Sequence, residues 1–241
     1  MLRGLKLSDE EKKGVRIRIS GTETGKSTVA QAVGKVLSEK LVHPDAISLT
    51  LGKIWCPIKG TDCKEIGVNQ FLFTFNQETG KRKALDNGPW MFDKDLVVVE
   101  DYDPCKRPED YQFNKIPIWV RVFDLPLGMM NVESAEDIGN LIGRFEEADR
   151  GVDGSAVGKY LRIKVRMSID KPIMRGFTLY GGTDGEDVND KQMVAIEGEE
   201  GEENGGWCRF AYEYLPDFCY TCGVIGHGDK YCSIKLATGE P

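Results

Sequence analysis

The sequence predicts an α+β protein built from more than one small unit. Three observations support this fold class. Segments that alternate apolar and polar residues are interleaved with helix-like segments. A second set of strand-like and helix-like segments occupies residues 113–180, and a cluster of cysteines and one histidine lies near the end. The chain has 241 residues, of which 40% are hydrophobic and 29% charged. This is an ordinary globular composition, and the length fits one large domain or two small ones.

The first predicted unit covers residues 28–112. After a stretch at 28–40 that is compatible with strand or helix, the segments read in order as helix, strand pair, helix and strand: "HPDAISLTLGKIW", "CKEIGVNQFLFTFN", "QETGKRKALDNG" and "KDLVVVEDYDP". If residues 28–40 supply the first strand, the order is β-α-β-β-α-β. That is the ferredoxin-like arrangement used by RNA-recognition domains, so the unit is predicted to be RRM-like.

Three aromatic residues alternate on one face of a predicted strand in this unit: Phe71, Phe73 and Phe75. They could form a base-stacking surface or part of the core. The core interpretation is favoured, because apolar side chains that alternate along a strand are usually buried.

A second small α+β unit is predicted at residues 113–180. "IPIWVRVFDLP" is a predicted strand on which Trp119, Arg121 and Phe123 share a face, and "SAEDIGNLIGRFEEA" is a predicted helix with Ser134 as its N-cap. In the predicted strand "YLRIKVRMSID", apolar residues alternate with Arg162, Lys164 and Arg166. This basic face could follow a phosphate backbone, or it could be the solvated outer face of an antiparallel strand.

The remaining segments divide the chain further. Residues 1–27 are predicted to be a charged, flexible lead-in, and residues 207–241 a strand followed by the cysteine cluster. Between them, residues 181–206 hold nine acidic residues against a single lysine, so this Gly-rich segment contributes −8 and the rest of the chain +1 to the net charge of −7. This composition predicts a solvated acidic loop.

The cysteine cluster gives the strongest chemical prediction. "CYTCGVIGHGDKYC" has the spacing C-x2-C-x4-H-x4-C, which supplies three thiolates and one imidazole from Cys219, Cys222, His227 and Cys232. These four ligands complete a tetrahedral Zn2+ shell, and a closed shell indicates a structural rather than a catalytic site. Because the segment is too short to have a core, it is predicted to fold only with its metal.

The sequence has no apolar run of about 18 residues, and its first residues have no signal-peptide core. We therefore expect no membrane segment and an intracellular protein, nuclear or cytoplasmic. In a reducing compartment, clustered cysteines are expected to bind metal rather than to form disulfides.

The block "CYTCGVIGHGDKYC" resembles a retroviral-type zinc knuckle, with an aromatic residue after the first cysteine and a glycine before the histidine. Together with "GPWMFDKDLVVVEDYDP", "IPIWVRVFDLPLGMMN", "VGKYLRIKVRMSIDKPIMRG" and "YEYLPDFCYTCGVIGH", residues from about 28 to 235 resemble a large plant family. That family pairs an N-terminal domain of unknown function with a CCHC zinc knuckle and is related to the first open reading frame of LINE-type retrotransposons.

The resemblance implies zinc binding and nucleic-acid binding, to RNA or single-stranded DNA. It implies that Tyr220 stacks on an unpaired base and that Ile225 lines the same platform. Lys230 is the only basic residue between the outer cysteines and is the expected phosphate contact of the knuckle. Further phosphate contacts are expected from Arg162, Lys164 and Arg166. The oligomeric state is left open.

The alternative interpretation is a nucleotide-binding enzyme that uses Gly25, Lys26 and Ser27 in "SGTETGKST". A phosphate-binding loop requires four residues between its glycines, but only three separate Gly21 from Gly25. The preceding "VRIRI" also carries arginines where a central parallel strand should be apolar. No nucleophile–base pattern is recognised in the sequence, so a non-enzymatic binding protein is preferred.

Overall fold

The computed structural model describes residues 8–15, 29–151, 154–179 and 206–238. Within these residues the chain forms two five-stranded antiparallel sheets, which confirms the predicted α+β class. A short helix, α1 (Asp9–Lys12), lies in the predicted lead-in and begins with a capping box in which the Ser8 hydroxyl accepts from the Glu11 amide. No helix of the described ranges has the length and apolarity needed to cross a membrane.

The first unit contains the first sheet and the helices that cover it. Its elements in chain order are β1 (Ala30–Val36), α2 (Pro44–Ile47), a π-helical turn (Ser48–Gly52), α3 (Lys53–Trp55), β2 (Thr61–Gly67), β3 (Gln70–Phe75), α4 (Glu78–Asp86), β4 (Trp90–Phe92) and β5 (Asp95–Asp101). The predicted helix at 43–55 is therefore one run of three helical pieces.

The strand order of the first sheet is β2-β3-β1-β5-β4. With β4 set aside as an added edge strand, this is the ferredoxin-like order that the β-α-β-β-α-β reading predicts. Phe71, Phe73 and Phe75 are buried on the side that α2, α3 and α4 cover, and the ring centroid of Phe73 lies 5.1 Å from that of Trp55. The core interpretation of these three rings is confirmed.

The other face of the first sheet is also apolar and covered. Val33, Leu96 and Val98 belong to the same buried cluster as Tyr111 and Phe113, which lie in the connection between the two units. The Phe113 amide also donates to the Glu100 carboxylate at 2.5 Å. Neither face of the central strands of this sheet is therefore open to a ligand.

The second unit repeats the strand order of the first. Its elements are β6 (Lys115–Phe123), α5 (Val132–Ile142), β7 (Arg144–Ala148), β8 (Leu161–Ser168), β9 (Gly176–Leu179) and β10 (Gly206–Tyr212). The sheet order is β7-β8-β6-β10-β9, which matches the first sheet position by position. The described connection between β8 and β9, residues 169–175, contains no helix equivalent to α4.

Two sequence-based expectations for the second unit are wrong in detail. The N-cap of α5 is Asn131, whose side-chain oxygen accepts from the amide of Ser134, because an Asx side chain reaches the third amide of the helix in the same way as a serine. The segment "RFEEA" forms β7 rather than the end of that helix. Gly143 separates the two elements, and a Cβ there would lie 2.5 Å from the Arg166 carbonyl oxygen.

The strand that was grouped with the cysteine cluster is part of the second sheet. β10 pairs with β6 on one side and with β9 on the other. The acidic segment, residues 181–206, therefore separates the two strands of one β9–β10 pair. Apart from Gly206, that segment lies outside the described residues.

The structure argues against the nucleotide-binding alternative. Gly25, Lys26 and Ser27 lie outside the described residues, but a phosphate-binding loop must lead directly into a helix. The chain instead continues into β1, which pairs antiparallel with both β3 and β5. A central antiparallel strand thus stands where a phosphate-loop enzyme has a helix N-terminus.

Replacing Phe73 by alanine tests the core of the first unit. We expect Phe73→Ala to lower the free energy of unfolding by about 3–5 kcal/mol, because a fully buried ring is lost from between α3 and the sheet. Thr74→Ala is the control, since its side chain lies on the opposite face in a single hydrogen bond with Gln31, and it should cost about 1 kcal/mol. Urea unfolding followed by tryptophan fluorescence measures both, and equal losses would contradict the assignment of the faces.

Candidate metal centre and nucleic-acid interface

The four predicted zinc ligands come together in the structure. One donor atom from each of Cys219, Cys222, His227 and Cys232 lies within 4.8 Å of all the others, and the Cys222 Sγ atom is 3.3 Å from His227 Nε2. A tetrahedral zinc ion with Zn–S bonds of about 2.3 Å holds its sulfur ligands about 3.8 Å apart. The donor set and its spacing therefore fit zinc, with only a small contraction needed on binding.

Backbone geometry places the first two ligands. The amide of Gly223 donates to the Cys219 carbonyl at 2.7 Å, and the amide of Cys219 donates to the Val224 carbonyl at 2.9 Å. Gly223 has a φ of 75° and Gly226 a φ of 96°, both in the left-handed region where a side chain is strained. These glycines let the chain turn tightly around the ion.

The third cysteine is positioned by the last helix. Cys232 directly precedes α6 (Ser233–Thr238), and hydrogen bonding from the Lys235 amide, followed by His227, lowers the pKa of its thiol to about 6. Thiolates near a helix N-terminus are stabilised by its amides. A metal ion at this site would therefore meet Cys232 largely as a thiolate.

Asp229 is a residue of this centre that sequence reasoning missed. Its carboxylate accepts from the Cys219 thiol at 3.0 Å and from the Thr221 amide at 3.1 Å. In the metal-free chain, burial and then this hydrogen bond raise the pKa of Cys219 to about 11. The position between His227 and Cys232 was the only available signal, because the sequence does not show that the loop folds back onto Thr221.

The metal centre is packed against the second unit. Ile225 is only 4% exposed and belongs to the buried cluster that contains the core of the second sheet. The amide of Ile173, in the connection from β8 to β9, donates to the Gly223 carbonyl at 2.9 Å. The centre thus lies against the connection that has no counterpart of α4.

This packing corrects one sequence-based expectation. Ile225 was expected to line a base-stacking platform with Tyr220, but its side chain faces the protein interior. An isolated antiparallel bridge pairs the backbone of Ile225 with that of Phe218. An apolar side chain in this position contributes to the core rather than to a ligand surface.

Tyr220 and Lys230 are at the surface, as expected. Tyr220 is 83% exposed, and its ring centroid lies 4.8 Å from that of Phe218. Tyr231, which sequence reasoning did not single out, is exposed as well. The metal centre therefore presents two tyrosine rings and one lysine to solvent.

The predicted basic strand face lies on the side of the second sheet that points away from α5, which we call the open face. Arg162, Lys164 and Arg166 are on this face in β8, but each is paired with a carboxylate. The partners are Glu213 and Asp149 for Arg162, Glu147 for Lys164, and Glu146 and Asp86 for Arg166. The face is neither an unpaired phosphate track nor a simply solvated surface.

The centre of the open face is a network around Glu213. The Glu213 carboxylate accepts from Arg121 at 2.6 Å and from Arg162 at 2.9 Å, and the Arg162 guanidinium carbon lies 3.8 Å from the centre of the Trp119 ring. Hydrogen bonding with Arg162, followed by that with Arg121, lowers the pKa of Glu213 to about 2. Sequence reasoning missed Glu213 because its partners lie 51 and 92 residues away.

Together, fold and site define an α+β protein with two antiparallel sheets and a C-terminal Cys3His centre. Residues 31–110 match the family model described as a domain of unknown function, DUF4283. Residues 198–234 match the family model described as a zinc knuckle. The two matched segments thus correspond to the first unit and to the region of the Cys3His centre.

Three solved structures that the comparison found share little sequence with this chain. The RNA-binding domain of Hrp1, solved in complex with RNA, is 13% identical over 56% of this chain and 80% of that chain, with a TM-score of 0.27. The NONO-1 homodimer of C. elegans is 11% identical over 56% of this chain and 49% of that chain, with a TM-score of 0.23. The first two RRM domains of the yeast poly(U)-binding protein Pub1 are 9% identical over 56% of this chain and 81% of that chain, with a TM-score of 0.21.

At these TM-scores, the fold assignment rests on the strand order of the chain itself. A search of curated proteins gave no match.

Replacing a zinc ligand tests the metal centre. We expect the wild-type chain to bind one equivalent of zinc by elemental analysis and Cys222→Ser to lose most of it. Metal binding contributes on the order of 10 kcal/mol of folding free energy to such sites. Because Ile225 belongs to the core of the second unit, amide hydrogen exchange should also accelerate in β8 and β10. Cys105→Ser, at an exposed cysteine, is the control, and a zinc-free wild type would refute the assignment.

The Glu213 network makes acid stability predictable. The folded-state pKa of about 2 lies below the value of about 4.3 for an unfolded chain. The carboxylate therefore stabilises the fold above pH 4.3, and that contribution disappears as the pH falls from about 4.3 to 2. Glu213→Gln should lower stability at neutral pH and flatten its decline over that range, measured by urea unfolding at several pH values. An unchanged slope would refute the network, and Glu109→Gln, at an exposed site, is the control.

Proposed function

We propose that this chain is a zinc-dependent, non-enzymatic protein that binds single-stranded nucleic acid, either RNA or DNA. The observation that carries the proposal is the Cys3His centre with Tyr220 held at its surface. An unpaired base can stack on such a ring without regard to its identity, because every base has a π-face. The tyrosine hydroxyl remains in water while the ring contacts the base.

Zinc and base binding are coupled through short chain segments. Tyr220 lies between the ligands Cys219 and Cys222 in sequence, and Tyr231 directly precedes Cys232. Loss of the ion would release both segments at once, because the described part of the knuckle outside Ile225 has little buried apolar surface of its own. Removing zinc should therefore abolish base stacking as well as the local fold.

The electrostatic contribution is expected to be modest. Lys230 is exposed beside Tyr231 and supplies a phosphate contact from the knuckle. Phosphate contacts from Arg162, Lys164 and Arg166 remain part of the proposal, but each would compete with the carboxylates that now bind these side chains. We therefore expect weaker salt dependence than an unpaired basic strand would give.

Derivation from a plant retrotransposon also remains a proposal, supported by the sequence resemblance over residues 28–235.

Tyr220→Ala and Tyr220→Phe test the proposed function. With a labelled single-stranded oligonucleotide, we expect Tyr220→Ala to weaken binding by about 1–3 kcal/mol, because one stacked base is lost. Tyr220→Phe keeps the ring and should bind like the wild type. Fluorescence anisotropy on zinc-loaded and chelator-treated protein measures the affinities. Full affinity after chelation, or in Tyr220→Ala, would exclude the knuckle as the binding site.

A further inference from the structure

We propose that the open face of the second sheet is a second binding surface for single-stranded nucleic acid, on which bases stack against Trp207 and the guanidinium groups of Arg209 and Arg121. This inference rests on the proposed function and extends it from the knuckle to the sheet. Its residues come from β6 and β10, which are adjacent strands: Arg209 lies directly opposite Phe123, and Ala211 opposite Arg121.

The β6–β10 part of the open face is accessible, whereas the equivalent face of the first sheet is not. The β8 part is covered, since Lys164 is only 7% exposed and Arg166 donates to the Leu85 carbonyl of the first unit. Val33 and Val98 in the first sheet are buried against the connection between the units. In the second sheet, Trp207 is 54% exposed and Arg209 is also exposed. Although both sheets share one strand order, the described residues leave only the second with such a surface.

Aromatic rings and guanidinium groups alternate in layers across this face. The guanidinium carbon of Arg209 lies 4.5 Å from the centre of the Phe123 ring, and that of Arg121 lies 4.9 Å from the centre of the Tyr160 ring. Each of these guanidinium groups therefore lies over a ring and stays accessible, since the Arg121 side chain is 41% exposed and Arg209 is exposed. Unpaired bases stack on arginine planes as well as on aromatic rings.

Trp207 is held flat by a glycine on the neighbouring strand. A Cβ at Gly176 would lie 2.7 Å from Cζ2 of the Trp207 indole, so the ring occupies the place where a side chain would stand. The indole therefore rests on the β9 backbone and exposes its other face. A bulky apolar ring that is partly exposed in this way is suited to stacking.

Although most charges of the open face are paired, its β6–β10 part favours a polyanion as its occupant. The Glu213 carboxylate is only 11% exposed beneath the two arginines, whereas the Arg121 side chain is 41% exposed. Arg209 has no carboxylate within 4 Å among the described residues. On the β6–β10 part of the face the cations are therefore more exposed than the acid, and a phosphate meets positive charge beside Arg121 and Arg209. The exposed carboxylates Asp149 and Glu147, at 51% and 54%, lie beside β7 and β8 instead.

The layered arrangement also suits nucleic acid as the occupant. Arginine and aromatic residues are enriched at protein interfaces as well, so a measurement of self-association tests a protein occupant. Here every ring of the layers except Trp207 lies under a guanidinium group. Single-stranded nucleic acid offers both the planar bases and the phosphates that such a surface can bind.

The test compares variants of the full zinc-loaded chain in binding labelled single-stranded RNA and DNA oligonucleotides of mixed sequence. We expect Trp207→Ala and Arg209→Ala each to weaken binding by about 5- to 150-fold, the equivalent of one stacked base. Trp207→Phe should retain most of the affinity. Arg82→Ala removes the same charge from an exposed site on α4 and should have no effect.

Two further measurements separate direct contact from indirect effects. The indole N–H resonance of Trp207, assigned from Trp207→Phe, should shift on titration with unlabelled oligonucleotide. Arg209→Ala should also reduce the slope of log affinity against log salt by about 0.7, the contribution of one phosphate contact on a single strand. Arg82→Ala should leave that slope unchanged.

The outcomes distinguish this inference from the proposed function. If Tyr220→Ala weakens binding while Trp207→Ala and Arg209→Ala do not, the open face is not a nucleic-acid surface and the knuckle alone binds. If the wild type binds no oligonucleotide, both proposals fail. If Trp207→Ala instead abolishes self-association measured by sedimentation, the face is an interface between copies of the chain and the inference is overturned.

Discussion

Tyr111 and Phe113 pack into the apolar cluster on the face of the first sheet opposite helices α2 to α4. This contact joins the two units. The first sheet has two apolar faces, and an apolar face left in water is unfavourable by roughly 25 cal/mol for every Å² exposed. Helices α2 to α4 cover one face and the connection to the second unit covers the other. Both faces of the first sheet are therefore covered. Its RRM-like strand order does not leave a sheet face open to solvent.

The second sheet also has an apolar face that must be covered, and different elements cover it. Its apolar face is covered by α5 and, where α4 has no counterpart, by the connection that carries Ile173 and by Ile225 of the knuckle. A zinc ion bound here would therefore stabilise more than the short loop around it. Through Ile225, the Cys3His centre is also a packing element of the sheet.

Charge compensation determines how the open face can act. Trp119, Arg162 and Glu213 form a fixed network, and the low pKa of Glu213 keeps that network charged at neutral pH. Such pairing orients the guanidinium planes and removes most of their net charge. Recognition on this face would therefore depend on stacking and shape more than on long-range attraction. That is consistent with a chain of net negative charge.

The sequence by itself determined the local features. The alternation of apolar and polar residues predicted the strands and their faces, including Trp119, Arg121 and Phe123 on one side. The spacing of the cysteines and the histidine predicted the four candidate zinc donors. These signals are local because side-chain direction in a strand and chelation by a short loop depend only on near neighbours. The tertiary structure alone decided what each face meets. It buried Ile225, paired Arg162 with Glu213 from another strand, and placed β10 in the second sheet, because these contacts join residues that are far apart in the chain.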